Sequence, residues 1–341
     1  MKLIIIILLI FTLYFINTNT TYLNEHLQKY KKNIKLKTPY FPIDIVYTWA
    51  GEKNTTNIRQ SNFNELKYSL RSVKMFLPWV NNIYILMNPP KKVPSWMKEG
   101  QVFDNKIVID NIIIIDHNDV FKNDQDITNS NLIETYVPHI KGLSEHFIYF
   151  NDDFFILKPL EYTEFFTEDG KPLLLKPKMK NNNMVMVNKK TDLQFKLPEF
   201  SGFFKHIPIT MKKSAVLKYQ NEYSDYIDFV RSVKKREKLG CSVCIEHNLR
   251  CPCQQQHYPI HMYMYKNNIG VYSNFTQNDL LYFDMSKSTY FPRIYKKIFE
   301  DNNAKFLCLN NATKPLNKTF SVKLFNNFGD KYWYKKQLYE K

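Results

Sequence analysis

The chain has 341 residues, 44% hydrophobic and 16% aromatic, which is ample core for one large domain or two modest ones and excludes a disordered chain. Its formal charge of +16 comes from lysines spread along the whole length rather than from an Arg-rich block. With no basic helix, zinc-finger spacing or RNA-stacking motif, nucleic acid is disfavoured as a partner, and the charge reads as a solvated basic face. Attraction of a phosphorylated ligand, an anionic polymer or a membrane surface is the alternative.

Lys2 precedes an apolar run from Leu3 to Ile16, after which Asn and Thr take over. The run is short for a full membrane span but has the length of a signal-peptide core. No small-x-small cleavage site follows it. Residues 1–21 are therefore read as an uncleaved signal anchor with Lys2 on the cytosolic side, making a single-pass type II protein with its bulk translocated. A cleaved signal and a secreted chain is the alternative. The Lys- and Asn-rich residues 22–38 read as a stem, and 39–341 as the globular part. Translocation would expose the sequons at Asn19, Asn54, Asn274, Asn311 and Asn317 to glycosylation, although sequons also arise by chance in an Asn- and Thr-rich chain.

From Pro42 the pattern becomes strand, helix, strand. Ile43 to Trp49 (IDIVYTW) has the β-branched and aromatic make-up of a buried parallel strand. Asn64 to Phe76 carries Leu66, Leu70, Val73 and Phe76 at near-helical spacing. Asn82 to Met87 is the next strand, broken off by Pro89, Pro90 and Pro94. Ile112 to Ile115 forms a third strand ending in Asp116, His117 and Asp119. Ser130 to Leu143 reads as a helix, and Phe147 to Phe150 as a fourth strand running into Asn151. Alternating strands and helices predict an α/β fold built on a mostly parallel sheet with helices on both faces. Ligands in such sheets sit beyond the carboxyl ends of the strands, where Asp116, His117, Asp119 and the Asn151-Asp152-Asp153 cluster fall; Asp44 lies near the start of its strand instead.

The cluster poses a physical problem. Adjacent buried carboxylates repel, so a cation or a hydrogen-bond network must compensate them, and hard oxygen ligands suit Mg²⁺, Mn²⁺ or Ca²⁺. An Asp-rich turn capping the next element is the alternative.

Residues 161–341 are less regular: a helix ends PITMKKSAVLKY, another spans about Tyr223 to Leu239, and a cysteine-rich insert follows. There are 8 glycines and no GxGxxG or P-loop, so a dinucleotide site or kinase-like phosphate loop is unsupported. Cys241, Cys244, Cys251 and Cys253, with His247 and His257 near, form disulfides in a translocated chain or a small zinc site in a reducing one. Cys308 is left over as a buried thiol. His206, in KHIP, is a structural histidine or a base.

Taken in order, IDIVYTW, ELKYSLRSVKMFLPWVNNIYILMN, VPSW, DHNDVF and TNSNLIETYVPHIKGLSEHFIYFNDDFFILKPL resemble the first two conserved regions of the Stealth family of hexose-1-phosphate transferases, over about residues 42–160. Residues 203–266 resemble the third region more loosely, and KFLCLNN with NNFGDKYWYKK the fourth. The resemblance implies a nucleotide-diphosphosugar-transferase-like (GT-A/Rossmann-like) core at 39–160, with a helical, Cys-rich remainder at 161–341. It implies transfer of a sugar 1-phosphate from a UDP-sugar donor to a glycan or glycoprotein acceptor, releasing UMP with a divalent cation as cofactor. A metal-dependent glycosyltransferase releasing UDP, or an inactive glycan-binding member, are the alternatives. By the same resemblance Asp44, Arg71, Asn131, Glu134 and Arg250 look like substrate-binding residues, with Arg231 a rival for Arg250. Asp152 and Asp153 look like metal or catalytic carboxylates, and His206 like the base. The chain departs from the family at Asn310-Asn311, where the pattern has Asn-Asp after the cysteine.

Overall fold

The structure, a computed structural model, describes residues 36–52, 64–121, 127, 129–176, 196, 206–234, 257–284, 298, 303–310, 326, 328–333 and 336–341. At its centre lies β1 (Ile43–Trp49), which pairs in parallel with β2 (Ile83–Met87) on one side and β6 (His146–Asn151) on the other. β1 and β2 are buried along almost their whole length, as near-continuous apolar strands covered on both faces must be. β5 (Ile112–Asp116) extends the parallel set beyond β2. The edges are antiparallel: β4 (Lys106–Ile109) and β3 (Gln101–Phe103) beside β5, and β9 (Ile209–Lys212) beside β6. The seven-strand order is β3-β4-β5-β2-β1-β6-β9.

The sequence signal for the β3–β4 hairpin is its turn. Asp104 and Asn105 both take left-handed backbone, φ 45° and 58°, which Asp and Asn tolerate and which a two-residue hairpin loop requires. The predicted helix from Ser130 stops early, as α2 (Ser130–Tyr136), because Pro138 follows and the chain tightens into a 3₁₀ turn over Val137–His139.

α1 (Glu65–Phe76) buries Leu66, Leu70, Val73 and Phe76, the apolar positions whose spacing predicts it. It lies on the opposite face of the sheet from α2. Successive strand residues point to opposite faces, and Tyr47 bonds Ser69 of α1 at 2.8 Å, whereas Thr48 bonds Tyr149, whose hydroxyl reaches Glu134 of α2 at 3.4 Å. Beyond α2 pack α3 (Lys213–Glu222), α4 (Ser224–Ser232) and α5 (His257–Lys266). A two-stranded parallel sheet joins β8 (Leu173–Leu174) to β10 (Val271–Tyr272).

A second sheet carries the chain past the acidic turn. β7 (Phe154–Ile156) pairs antiparallel with β12 (Phe306–Asn310), which pairs in parallel with β11 (Leu280–Asp284). The other edge of β7 is closed by side chains: Ser69 Oγ donates to the Phe154 carbonyl, Ser72 Oγ accepts from Ile156 N–H at 3.0 Å, and Trp333 Nε1 donates to the Ile156 carbonyl at 3.0 Å. This explains two buried serines on the apolar face of α1, since unpaired backbone groups there would cost more than the hydroxyls do.

The anchor assigned to 1–21, residues 22–35 of the stem assigned to 22–38, the four clustered cysteines and Arg250 lie outside the described residues. Among the described residues no helix is long and apolar enough to cross a membrane.

Candidate functional site

Asp152 and Asp153 form the turn between β6 and β7, at the carboxyl end of the strand next to the central one. Burial pushes the Asp152 carboxyl up to about 6, against the pull of the turn's own backbone N–H groups. Asp153 is pushed up to about 7, by burial first and then by the charge of Asp152, with the Cys308 thiol pulling it back. No cation is among the groups that shift either carboxyl. One oxygen of Asp153, Oδ2, accepts from Cys308 Sγ at 3.6 Å; the other, Oδ1, is enclosed with no hydrogen-bond partner. Among the described residues these two adjacent, raised carboxyls have no positive partner, and one oxygen of Asp153 has no hydrogen bond.

The pair suits a divalent cation in one particular mode. Among the described residues no group of three His, Cys, Asp or Glu side chains could hold a metal ion, so a closed protein cage is not formed by them. Mg²⁺ commonly takes only one or two carboxylates and completes its shell with water and substrate phosphates, and Asp152 with Asp153 supplies that.

His206 stands beside the turn, its ring 6.3 Å from that of Phe154, the residue after Asp153, and 5.8 Å from that of Tyr282 on β11. Glu134 also reaches the strand ends, through Tyr149 to Thr48 Oγ1, with the Tyr149–Thr48 contact at 2.7 Å. Asn131 is one helical turn before Glu134, buried at the start of α2 behind its Asn129 cap. The structure thus brings Asp152, Asp153, His206 and Glu134 to one end of the sheet.

It does not bring Asp44 there. The Asp44 carboxylate accepts from Asn81 Nδ2 at 2.9 Å, Asn82 N–H at 3.0 Å and Ser144 N–H at 2.7 Å, closing the amino-terminal ends of three strands. From Asp44 to Thr48 is four residues of strand, about 13 Å, so Asp44 is structural and the substrate role expected of it is corrected. Arg71 is corrected likewise. It is 5% exposed and makes a two-pronged bond to Glu340, Nε to Oε1 at 2.8 Å and Nη2 to Oε2 at 2.6 Å, with Nη1 on Asp330 at 2.8 Å. Four of its five N–H donors go to the carboxyl-terminal segment, the fourth bond being from Nη1 to the Trp333 carbonyl at 3.3 Å, so the guanidinium is committed to holding that segment. Arg231 bonds Thr135, His139 and Gln220 through Nε and Nη2 and lies over the Tyr136 ring. Asp116 and Asp119 cap their own turn and hold Lys91, whose Nζ lies 2.6 Å from Asp119 Oδ2. They form a lock on the loop after β2, not a ligand site.

One feature was not foreseen from the sequence. An open cleft of about 160 Å³ lies at the carboxyl ends of β1 and β2, lined by Trp49, Gly51, Glu52, Asn88, Lys92 and Pro94 among others. Asn88 is 7% exposed and its Oδ1 has no hydrogen-bond partner. β2 and β6 are two strand positions apart, so the cleft and the acidic turn are separated by about 10 Å along the sheet.

Residues 59–174 match Stealth protein CR2, conserved region 2. Over these residues the chain is similar to the Stealth family. The match takes in α1, β2 to β8, α2 and the acidic turn. Among curated Stealth-like relatives, capsular polysaccharide phosphotransferase LcbA of Neisseria meningitidis is 38% identical over 152 residues, covering 38% of this chain and 39% of the relative. Capsular polysaccharide phosphotransferase fcs1 of Haemophilus influenzae is 36% identical over 168 residues, 43% of each. The chain spans less than half the length of these relatives. Among solved structures, galactosyltransferase LgtC with donor and acceptor sugar analogs is 12% identical with a TM-score of 0.43, covering 83% of this chain and 95% of that one. That likeness is too shallow to place a residue.

Proposed function

We propose that this chain transfers a sugar 1-phosphate from a UDP-sugar to a hydroxyl of a glycan acceptor and releases UMP. The observation that carries the reading is the acidic turn: two raised, adjacent carboxyls without a cation, at the carboxyl end of a parallel strand. The relatives' description as polysaccharide phosphotransferases supports it.

The reaction joins the acceptor oxygen to the β-phosphorus of the donor and breaks that phosphorus from the oxygen bridging it to the α-phosphate, so UMP leaves. Asp152 and Asp153 would hold Mg²⁺ or Mn²⁺, which when bound supplies neutralisation of the diphosphate charge. The cleft at the ends of β1 and β2 accepts the nucleoside, and the unpartnered Asn88 Oδ1 is its acceptor for a base or ribose donor. His206, beside the turn, takes the proton of the attacking hydroxyl. Tyr149, anchored by Thr48, orients Glu134 at the rim. The apolar run from Leu3 to Ile16 supports action at a membrane with the domain on the translocated side.

The test is Asp153→Asn and His206→Gln, each assayed for UMP release from a UDP-sugar with acceptor and Mn²⁺. A positioned general base contributes about 10²- to 10⁴-fold, so a loss of at least about 100-fold is expected at His206. Turnover within about threefold of wild type in both variants refutes these roles, being far below that contribution.

A further inference from the structure

We propose that Cys308 is a positioning residue for Asp153: its thiol holds Oδ2 and so fixes the orientation in which the carboxylate meets a ligand. The inference rests on the reading of Asp153 as a ligand-facing carboxylate. β12 delivers the sulfur by register, with Cys308 opposite Phe154 and the Leu309 N–H donating to the Asp153 carbonyl at 3.1 Å. Sγ lies 3.6 Å from Oδ2, within the reach of a thiol donor, which is longer and weaker than a hydroxyl. Cys308 is fully buried and forms no disulfide.

The surroundings make this contact decisive for the carboxylate. The backbone after Asp153 is fixed on both edges, by β12 on one side and by Ser69, Ser72 and Trp333 on the other. With the main chain immobile, the side-chain torsions are what remain to be set, and a donor on Oδ2 sets them. A lysine or arginine at 308 would neutralise Asp153 and remove the reason for a cation. The thiol orients the carboxylate while leaving most of its charge.

The experiment compares wild type, Cys308→Ala, Cys308→Ser and Asp153→Asn. In the protein without ligand, the S–H stretching band isolated as wild type minus Cys308→Ala is expected at a hydrogen-bonded position and moves toward that of a free thiol in Asp153→Asn. With turnover, Cys308→Ala raises the Mn²⁺ concentration for half-maximal UMP release by about tenfold, the effect of losing one hydrogen bond to a charged group. Cys308→Ser keeps a donor and stays within about twofold of wild type on the same reasoning. An S–H band unmoved by Asp153→Asn overturns the proposal, as does equal Mn²⁺ dependence in the alanine and serine variants. If wild type itself transfers nothing, the proposed function fails, and the infrared comparison alone decides the Cys308 contact.

Discussion

Replacing Arg71 by alanine separates two accounts of the same residue. A guanidinium facing a donor phosphate, as the resemblance implied, would leave the fold intact when removed and raise the KM for donor. The structure shows instead a guanidinium at 5% exposure locked to Glu340 at 3% exposure, with contacts of 2.8 and 2.6 Å. Alanine would strand the Glu340 carboxylate, whose one other donor among the described residues is the Gln337 N–H at 3.0 Å. Removing one partner of a buried pair costs about 3–5 kcal/mol, mostly because the remaining charge is left without compensation. The partly exposed Asp330 contact adds little to that figure. Chemical denaturation followed by circular dichroism measures the loss. The double replacement Arg71→Met with Glu340→Leu should lose less than Arg71→Ala alone, because it leaves no stranded charge. An Arg71→Ala protein with unchanged stability and a raised donor KM would refute the reasoning and return Arg71 to the donor site.

Three further outcomes follow from the same geometry. Asp153 has a folded pKa above its unfolded one, so its contribution to stability is present at acid pH and lost as pH rises through about 7. Asp153→Asn should therefore abolish transfer yet gain stability over wild type at pH 8, with the gain vanishing near pH 4; equal differences at both pH values would contradict this. Asn88→Leu exchanges a buried acceptor without a partner for an apolar group of similar size, and should leave stability unchanged or slightly higher while raising the donor KM about tenfold at near-constant kcat. A KM that does not move would remove the cleft from the donor site. Trp333→Phe keeps the stack on Phe155, whose ring centroid is 4.9 Å away, but orphans the Ile156 carbonyl, for a loss of about 1–3 kcal/mol read by thermal melting.

The parallel core was legible because its strands announce themselves: IDIVYTW, NIYILM and HFIYF are apolar throughout, and Leu66, Leu70, Val73 and Phe76 mark the helix between the first two. Asp152 and Asp153 stood out for a physical reason, since adjacent charges after such a strand demand compensation wherever the chain goes next. What failed was everything decided by distant partners. Arg71 and Glu340 are 269 positions apart, and nothing local distinguishes an arginine on an apolar helix face that meets a phosphate from one that meets a carboxylate. Asp44 misled because a carboxylate at the start of a strand can bond the backbone of neighbouring strands, a use visible only once Ser144 is beside it. Cys308 reads as an unremarkable buried thiol until β12 is laid against β7. The β3–β4 hairpin was missed although its Asp104-Asn105 turn carried the signal.

The measurement that bears most directly on the central claim is the identity of the nucleotide released. The protein is incubated with a UDP-sugar, a glycan acceptor and Mn²⁺, with and without chelator, and the nucleotide product is separated by chromatography. Attack at the β-phosphorus predicts UMP, formed only when acceptor and metal are both present and lost in Asp153→Asn. UDP as the product would mean attack at the sugar carbon, and would contradict the account.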